Sequence, residues 1–224
     1  MKALLGLGAA AVLASILATP VAAQVIIQPA IGVNLAKLSN GDEALSDPDQ
    51  GITAEGKTRT GFAAGVGVLY AVSPQFTIGT GGYYSQQGHK ATLTDQTTQL
   101  QADGTLEIDY IQVPLTVGVS FATGGSVTPH LFAGPMVGFN VTCKASVAGA
   151  SADCPSDTVE SIDFGLLFGG GLSFRAGTGR FVVDAYYDLG LSNVAKDAPS
   201  GSTSIKNEVF GFSVGYGFPL GGGM

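Results

Sequence analysis

Charge is scarce in this sequence: Asp, Glu, Lys and Arg supply 12% of its 224 residues, about half the share of an ordinary soluble domain. Histidine and cysteine occur twice each. With His89 and His130 as the only imidazoles, spacing supports no Ser-His-Asp arrangement. The cysteines match neither a CxxC redox motif nor a zinc site. The run Phe168-Gly169-Gly170-Gly171 lies in a strand pattern with no helix to follow, so it is not a phosphate-binding loop. Asp47-Pro48-Asp49-Gln50-Gly51 lacks the further ligands and terminal Glu of a calcium loop. A net charge of −7 disfavours nucleic acid. No catalytic, cofactor or metal residues are therefore assigned, and the chain is expected not to be an enzyme. Long hydrophobic runs are also missing: after Gln24 no stretch approaches the roughly 20 apolar residues of a spanning helix.

The N-terminus reads as an export signal. Lys2 supplies the positive charge, Ala3 to Ala18 an apolar and small-residue run, and Val21-Ala22-Ala23 a cleavage site before Gln24. The expected division is a cleaved signal at 1–23 and a single domain at 24–224. Glycine is abundant, with 34 copies, which disfavours long helices because each interior Gly costs about 1 kcal/mol relative to Ala.

Eight segments of the mature chain alternate with period 2, the mark of strands. Ile31, Val33 and Leu35 alternate with Gly32, Asn34 and Ala36; Phe62, Ala64, Val66, Val68 and Tyr70 with Gly61, Ala63, Gly65, Gly67 and Leu69. Comparable patterns run through Phe76–Tyr84, Tyr110–Phe121, His130–Thr142, Ile162–Arg175, Arg180–Ser192 and Val209–Phe218. Each is close to the 9–11 residues with which a tilted strand crosses a bilayer.

The connections alternate in length. Ser73-Pro74-Gln75, Ala122–Val127 and Ala176–Gly179 are short; Ser39–Arg59, Gly88–Gly104, Cys143–Glu160 and Ala195–Lys206 are long. All short turns thus fall at one end, as in outer-membrane barrels with periplasmic turns and extracellular loops. Tyr70, Phe76, Phe121, Phe174, Phe181, Tyr216 and Phe218 lie on the apolar face near the short turns or the C-terminus, where an aromatic girdle meets the membrane interface. The apolar face lacks charge, and a water-facing surface of that kind would aggregate; it is expected to face lipid. The fold expected is all-β: an eight-stranded antiparallel up-and-down transmembrane barrel, closed because hydrocarbon satisfies no backbone group.

An eight-stranded bore leaves little more room than its own side chains occupy. Asp163, Arg175, Arg180, Asp184 and Asp188 fall on the inner face and are expected to form a paired polar network, since buried charges need partners. Cys143 and Cys154 share the third long loop and, in an oxidising compartment, are expected to form a disulfide. Asp42, Glu43, Asp47 and Asp49 make the first loop acidic and solvated, with divalent-ion bridging to lipopolysaccharide as a minor role.

Tyr110-Ile111-Gln112-Val113-Pro114-Leu115, Pro129–Gly138, Asp163-Phe164-Gly165, Gly169-Gly170-Gly171 and Tyr187–Asn193 resemble motifs of the PorT-type outer-membrane β-barrel family of small barrels. Phe210–Phe218 is similar to the C-terminal assembly signal of such proteins, departing from it in the trailing Pro219 to Met224. The resemblance spans the mature chain and implies insertion by the barrel assembly machinery; some members take part in protein secretion. The expected setting is the outer membrane of a Gram-negative-type cell, in contact with lipid and lipopolysaccharide. The expected role is structural or surface interaction through the loops, with a narrow porin-like channel or an accessory part in secretion as alternatives.

Overall fold

A computed structural model describes residues 24–155, 158–196 and 203–220. The export signal expected at 1–23 lies outside the described residues. The strands are β1 (Gln24–Ser39), β2 (Ile52–Lys57), β3 (Arg59–Ala71), β4 (Phe76–Asp95), β5 (Gln101–Ser120), β6 (Val127–Val147), β7 (Ala150–Asp153), β8 (Ile162–Ala176), β9 (Gly179–Gly190) and β10 (Lys206–Leu220). A short helix α1 (Gly41–Leu45) and a 3₁₀ turn (Pro48–Gln50) sit between β1 and β2.

Eight of these strands close an antiparallel ring in the order β1, β3, β4, β5, β6, β8, β9, β10 and back to β1. The closing seam runs from Val25↔Leu220 to Ser39↔Lys206. The alternation sorts side chains as the sequence implies. Ile31 (64% exposed), Val117 (61%) and Leu131 (54%) cover the outside, while Asn34 between Val33 and Leu35 is fully buried. The barrel is therefore apolar outside and polar inside.

The count of eight needs an addition. Strands β2 and β7 extend the sheet beyond the ring, pairing with β4 and β6 respectively. Strands β4 and β5 have 20 residues each, about twice what a bilayer crossing needs. Much of the Gly88–Gly104 segment, expected as a loop, is thus a ladder that runs to Thr94↔Gln101. Backbone pairing continues past the apolar band without needing lipid; only the hydrophobic alternation stops there, because the outward residues become Lys90, Thr92 and Thr94. At the hairpin tip Asp95 accepts the backbone N–H of Thr98 and Thr97, which holds its carboxyl below the usual range.

Where β4 leaves β3, Gly88 takes φ 123°, a conformation that side chains strongly disfavour. The gap is filled by Arg59, which donates to the Gln87 carbonyl and pairs with Asp109 at 3.2 Å and Glu107 at 3.4 Å. Tyr84 Oη also donates to Asp109, at 2.6 Å.

Cys143 lies in β6 rather than in a loop, and its disulfide to Cys154 crosses to the chain just past β7. Cys154 N–H donates to the Cys143 carbonyl, so the bond continues the β6–β7 register. A loop of this size gains about 3 kcal/mol in the chain-entropy model. A Cys143→Ser, Cys154→Ser variant is therefore expected to keep ring protection in hydrogen exchange while the Lys144–Asp153 hairpin exchanges about a hundredfold faster. Equal protection of that hairpin in both proteins would show that pairing alone holds it.

Candidate functional site

The bore has two halves of different character. At the loop end it is sealed. Leu38, Ile108, Tyr110 and Val194 form a buried cluster, packed by Leu106, Val159 and Ile205. Helix α1 is latched beside it: His89 Nδ1 accepts the Leu38 N–H at 3.3 Å, leaving Nε2 to donate to Asp42 at 3.0 Å. Asp47 accepts from Gln50 N–H and Nε2 and so shapes the 3₁₀ turn. The first acidic loop is thus shaped by two of its carboxylates, while Asp42, Glu43 and Asp49 remain exposed.

Beneath the cluster a layer of polar side chains spans the bore. Tyr186 Oη donates to Asn34 Oδ1 at 2.6 Å, and Asn34 Nδ2 to Ser85 Oγ at 2.9 Å. Gln87 and Gln112 both donate to Asp188 Oδ2, at 3.2 and 2.7 Å. Asn207 donates to Asp163 at 2.7 Å and to Tyr110 Oη at 3.2 Å, and Ser192 donates to Asp163 at 2.5 Å. Two acceptors of the layer, Gln87 Oε1 and Asn207 Oδ1, have no partner among the described residues. Together these side chains block the bore.

The turn-end half is open. A cavity of about 1000 Å³ rises from the short turns, lined at its mouth by Pro74, Gly124 and Thr178 and at its ceiling by Gln112 and Tyr186 of the polar layer. A bore filled throughout by its own side chains was expected. Glycine and alanine on the inner faces of β1, β3 and β8 leave this half unfilled. On its wall His130 Nε2 meets Asp184 Oδ1 at 2.7 Å. The two reach across β8 at Gly171, which is in register with both. A Cβ there would collide with Asp184 and the Val183 carbonyl.

The five expected network residues do face inward, but not to one another. Asp163 and Asp188 join the polar layer, Asp184 binds His130, and Arg180 donates to Ser173 Oγ at 3.0 Å. Arg175 is exposed at the cavity mouth. No arginine–aspartate pair forms among them. Sharing a face is not sharing a height: Asp184 lies four residues from Arg180 along β9, about 13 Å. Asn34, Gln87, Tyr186 and Asn207 are not among the residues that the sequence singles out. Asn34 and Gln112 carried the inner-face signal, while Gln87 lay at a loop border.

Of the aromatic residues, Tyr70, Phe121, Phe174, Phe181 and Phe218 are exposed on the outer face toward the turn end, and Phe76 and Tyr216 are half-buried there. Register aligns Phe181 with Phe174 on one side and Tyr216 on the other. Tyr216 Oη donates to the Ala176 carbonyl at 2.5 Å and accepts Gly179 N–H at 3.1 Å, tying β10 to the β8–β9 turn. Among the described residues no three His, Cys, Asp or Glu side chains converge as a metal site would require.

A closed, apolar-outside ring is what outer-membrane proteins present to lipid, and the family described as "Outer membrane protein beta-barrel domain" matches residues 22–196. The chain belongs to that family. It is thus an outer-membrane barrel, and its apolar side chains are those on the outer surface. No curated protein sequence matches the chain. Solved structures similar to it include Ail, the attachment invasion locus protein of Yersinia pestis, at 17% identity and a TM-score of 0.39, covering 87% of this chain and 99% of that one. Neisserial surface protein A is similar at 16% identity and a TM-score of 0.45, covering 89% and 100%. Likenesses of this order bear on no function.

The His130–Asp184 bridge depends on the missing side chain between its partners. Gly171→Val is expected to destabilise the barrel by about 1–3 kcal/mol, read as a lower urea midpoint in lipid vesicles. An unchanged midpoint would mean that the bridge relaxes around the added methyls at no cost.

Proposed function

We propose that this outer-membrane barrel is a non-enzymatic, surface-exposed protein that acts through the projection at its loop end. The observation that carries the reading is the combination of a sealed loop end with a paired sheet rising above it. The projection presents Thr53, Glu55 and Lys57 of β2, Lys90 and Thr92 of β4, and Asp103, Thr105 and Glu107 of β5 outward, a hydrophilic face fit for display. The seal speaks against the porin-like alternative. Each imidazole is bonded to a carboxylate, and among the described residues neither bonds a hydroxyl or thiol nucleophile, which supports a role without catalysis.

In this reading the chain is exported with cleavage before Gln24 and inserted by the barrel assembly machinery into a Gram-negative-type outer membrane. The aromatic ring marks the periplasmic interface. Lipopolysaccharide meets the loop-end rim, where exposed Glu43 and Asp49 offer carboxylates to bridging divalent cations. Within the family, the PorT-type assignment, and with it an accessory part in secretion, rests on the motifs at Tyr110–Leu115, Pro129–Gly138, Asp163–Gly165, Gly169–Gly171 and Tyr187–Asn193.

An epitope inserted at Thr97, in the β4–β5 turn, is expected to bind antibody on intact cells. Labelling only after permeabilisation would invert the orientation and end this reading. In planar bilayers the purified barrel is expected to give no unitary conductance; regular steps would restore the channel.

A further inference from the structure

Across the β8–β9 turn, Arg175 stands in direct register with Arg180. Cross-strand partners hold their Cβ atoms about 5 Å apart, and like charges so placed are destabilising. Inside or beside the ring, Lys37 pairs with Glu208, and Arg59 with Glu107 and Asp109, while the other like-charged cross-strand pair, Lys57 and Lys90, stands on the solvent-facing β2–β4 ladder. No carboxylate pairs with Arg175 or Arg180 among the described residues. Both line the turn-end cavity, where Asp184 is the one acidic lining residue among the described residues and is already bound by His130. Arg180 has a single side-chain hydrogen bond, to Ser173. Two arginines thus stand in cross-strand register at the mouth of a dead-end chamber, with most of their donors unspent.

We propose that this pair is an oxyanion site for a small soluble molecule. Its phosphate or carboxylate head bridges Arg175 and Arg180, and its body enters the chamber. Guanidinium forks match the planar geometry of such heads, and a bridging anion converts the repulsion between the arginines into attraction. A chamber of about 1000 Å³ stands at the upper end of small-molecule sites. Its wall combines Phe132 and Leu69 with Gln112 and Tyr186 near the ceiling, which suits a body with an apolar part. The arginines lie on the inner face, screened from lipid by the barrel wall. The molecule therefore arrives from solution at the turn end, which faces the periplasm in barrels of this kind, and not as a lipid headgroup. The site is independent of the surface role proposed above.

The test uses the mature protein in phosphatidylcholine nanodiscs, with hexyl phosphate and inorganic phosphate as probes and NMR of the arginine Nε–Hε groups as readout. Hexyl phosphate is expected to shift both Arg175 and Arg180 saturably, to shift Phe132 as well, and to bind more tightly than inorganic phosphate. Arg175→Gln and Arg180→Gln are each expected to weaken binding about tenfold or more, and Arg180→Lys to retain part of it. The unliganded Gln variants are expected to melt at or above the parent temperature, because the repulsion is gone. Binding that persists unchanged in both Gln variants overturns the proposal, as does the absence of shifts at about 10 mM probe. Lower melting of the Gln variants with unchanged binding would assign the pair a purely structural role. Occupation by phosphatidylglycerol added to the disc, blocking hexyl phosphate, would overturn the soluble source.

Discussion

Hydrocarbon offers a peptide group no hydrogen-bond partner, so each strand that crosses it needs a neighbour on both sides from within the protein. Here the demand falls hardest on the first and last strands, which are far apart in sequence. The β1–β10 seam meets it over nearly the whole of both strands. Once that seam is closed, the rest follows. The pleat sends alternate side chains to lipid and to the bore, and lipid accepts only the apolar set. The polar set must then find partners in a narrow interior. Barrel geometry is thus imposed by the solvent, and the sequence answers with period-2 patterning and abundant glycine on the inner face.

The interior answers unevenly. In the loop-end half, large amides, tyrosines and two aspartates meet across the bore and are capped by an apolar cluster from β1, β5 and the connections that carry Val159, Val194 and Ile205. In the turn-end half, small residues leave a chamber with one His–Asp bridge on its wall and two arginines at its mouth. The molecule is therefore one-sided: closed toward the loops, open toward the turns. Above the seal the ladder continues through β2, β4, β5, β6 and β7, so that what projects from the membrane is sheet, fastened by Cys143–Cys154 and the His89–Asp42 latch.

Much of the ring was legible in the sequence because lipid enforces strict alternation. Ile31, Val33 and Leu35 against Asn34 and Ala36 allow one reading only. The projection was not legible for the converse reason. Beyond the bilayer nothing selects apolar residues on one face, so Lys90–Asp95 and Gln101–Glu107 look like loop while forming ladder. The charged interior was half legible. Alternation gave the correct face for Asp163, Arg175, Arg180, Asp184 and Asp188, but periodicity is silent about height. The partners that matter, Gln87, Gln112, His130 and Asn207, come from other strands, and only register brings them level.

The bore is closed at the loop end and accessible from the turn end. Because both native cysteines are paired, a single new thiol reports access directly. Thr116, on the chamber wall, is replaced by Cys, and the barrel is reconstituted in one orientation in lipid vesicles. A small membrane-impermeant maleimide is then supplied to one side at a time. The expected result is labelling from the turn side and none from the loop side. Labelling from the loop side at a comparable rate would show that the polar layer and its apolar cap do not seal the barrel, and would contradict the account.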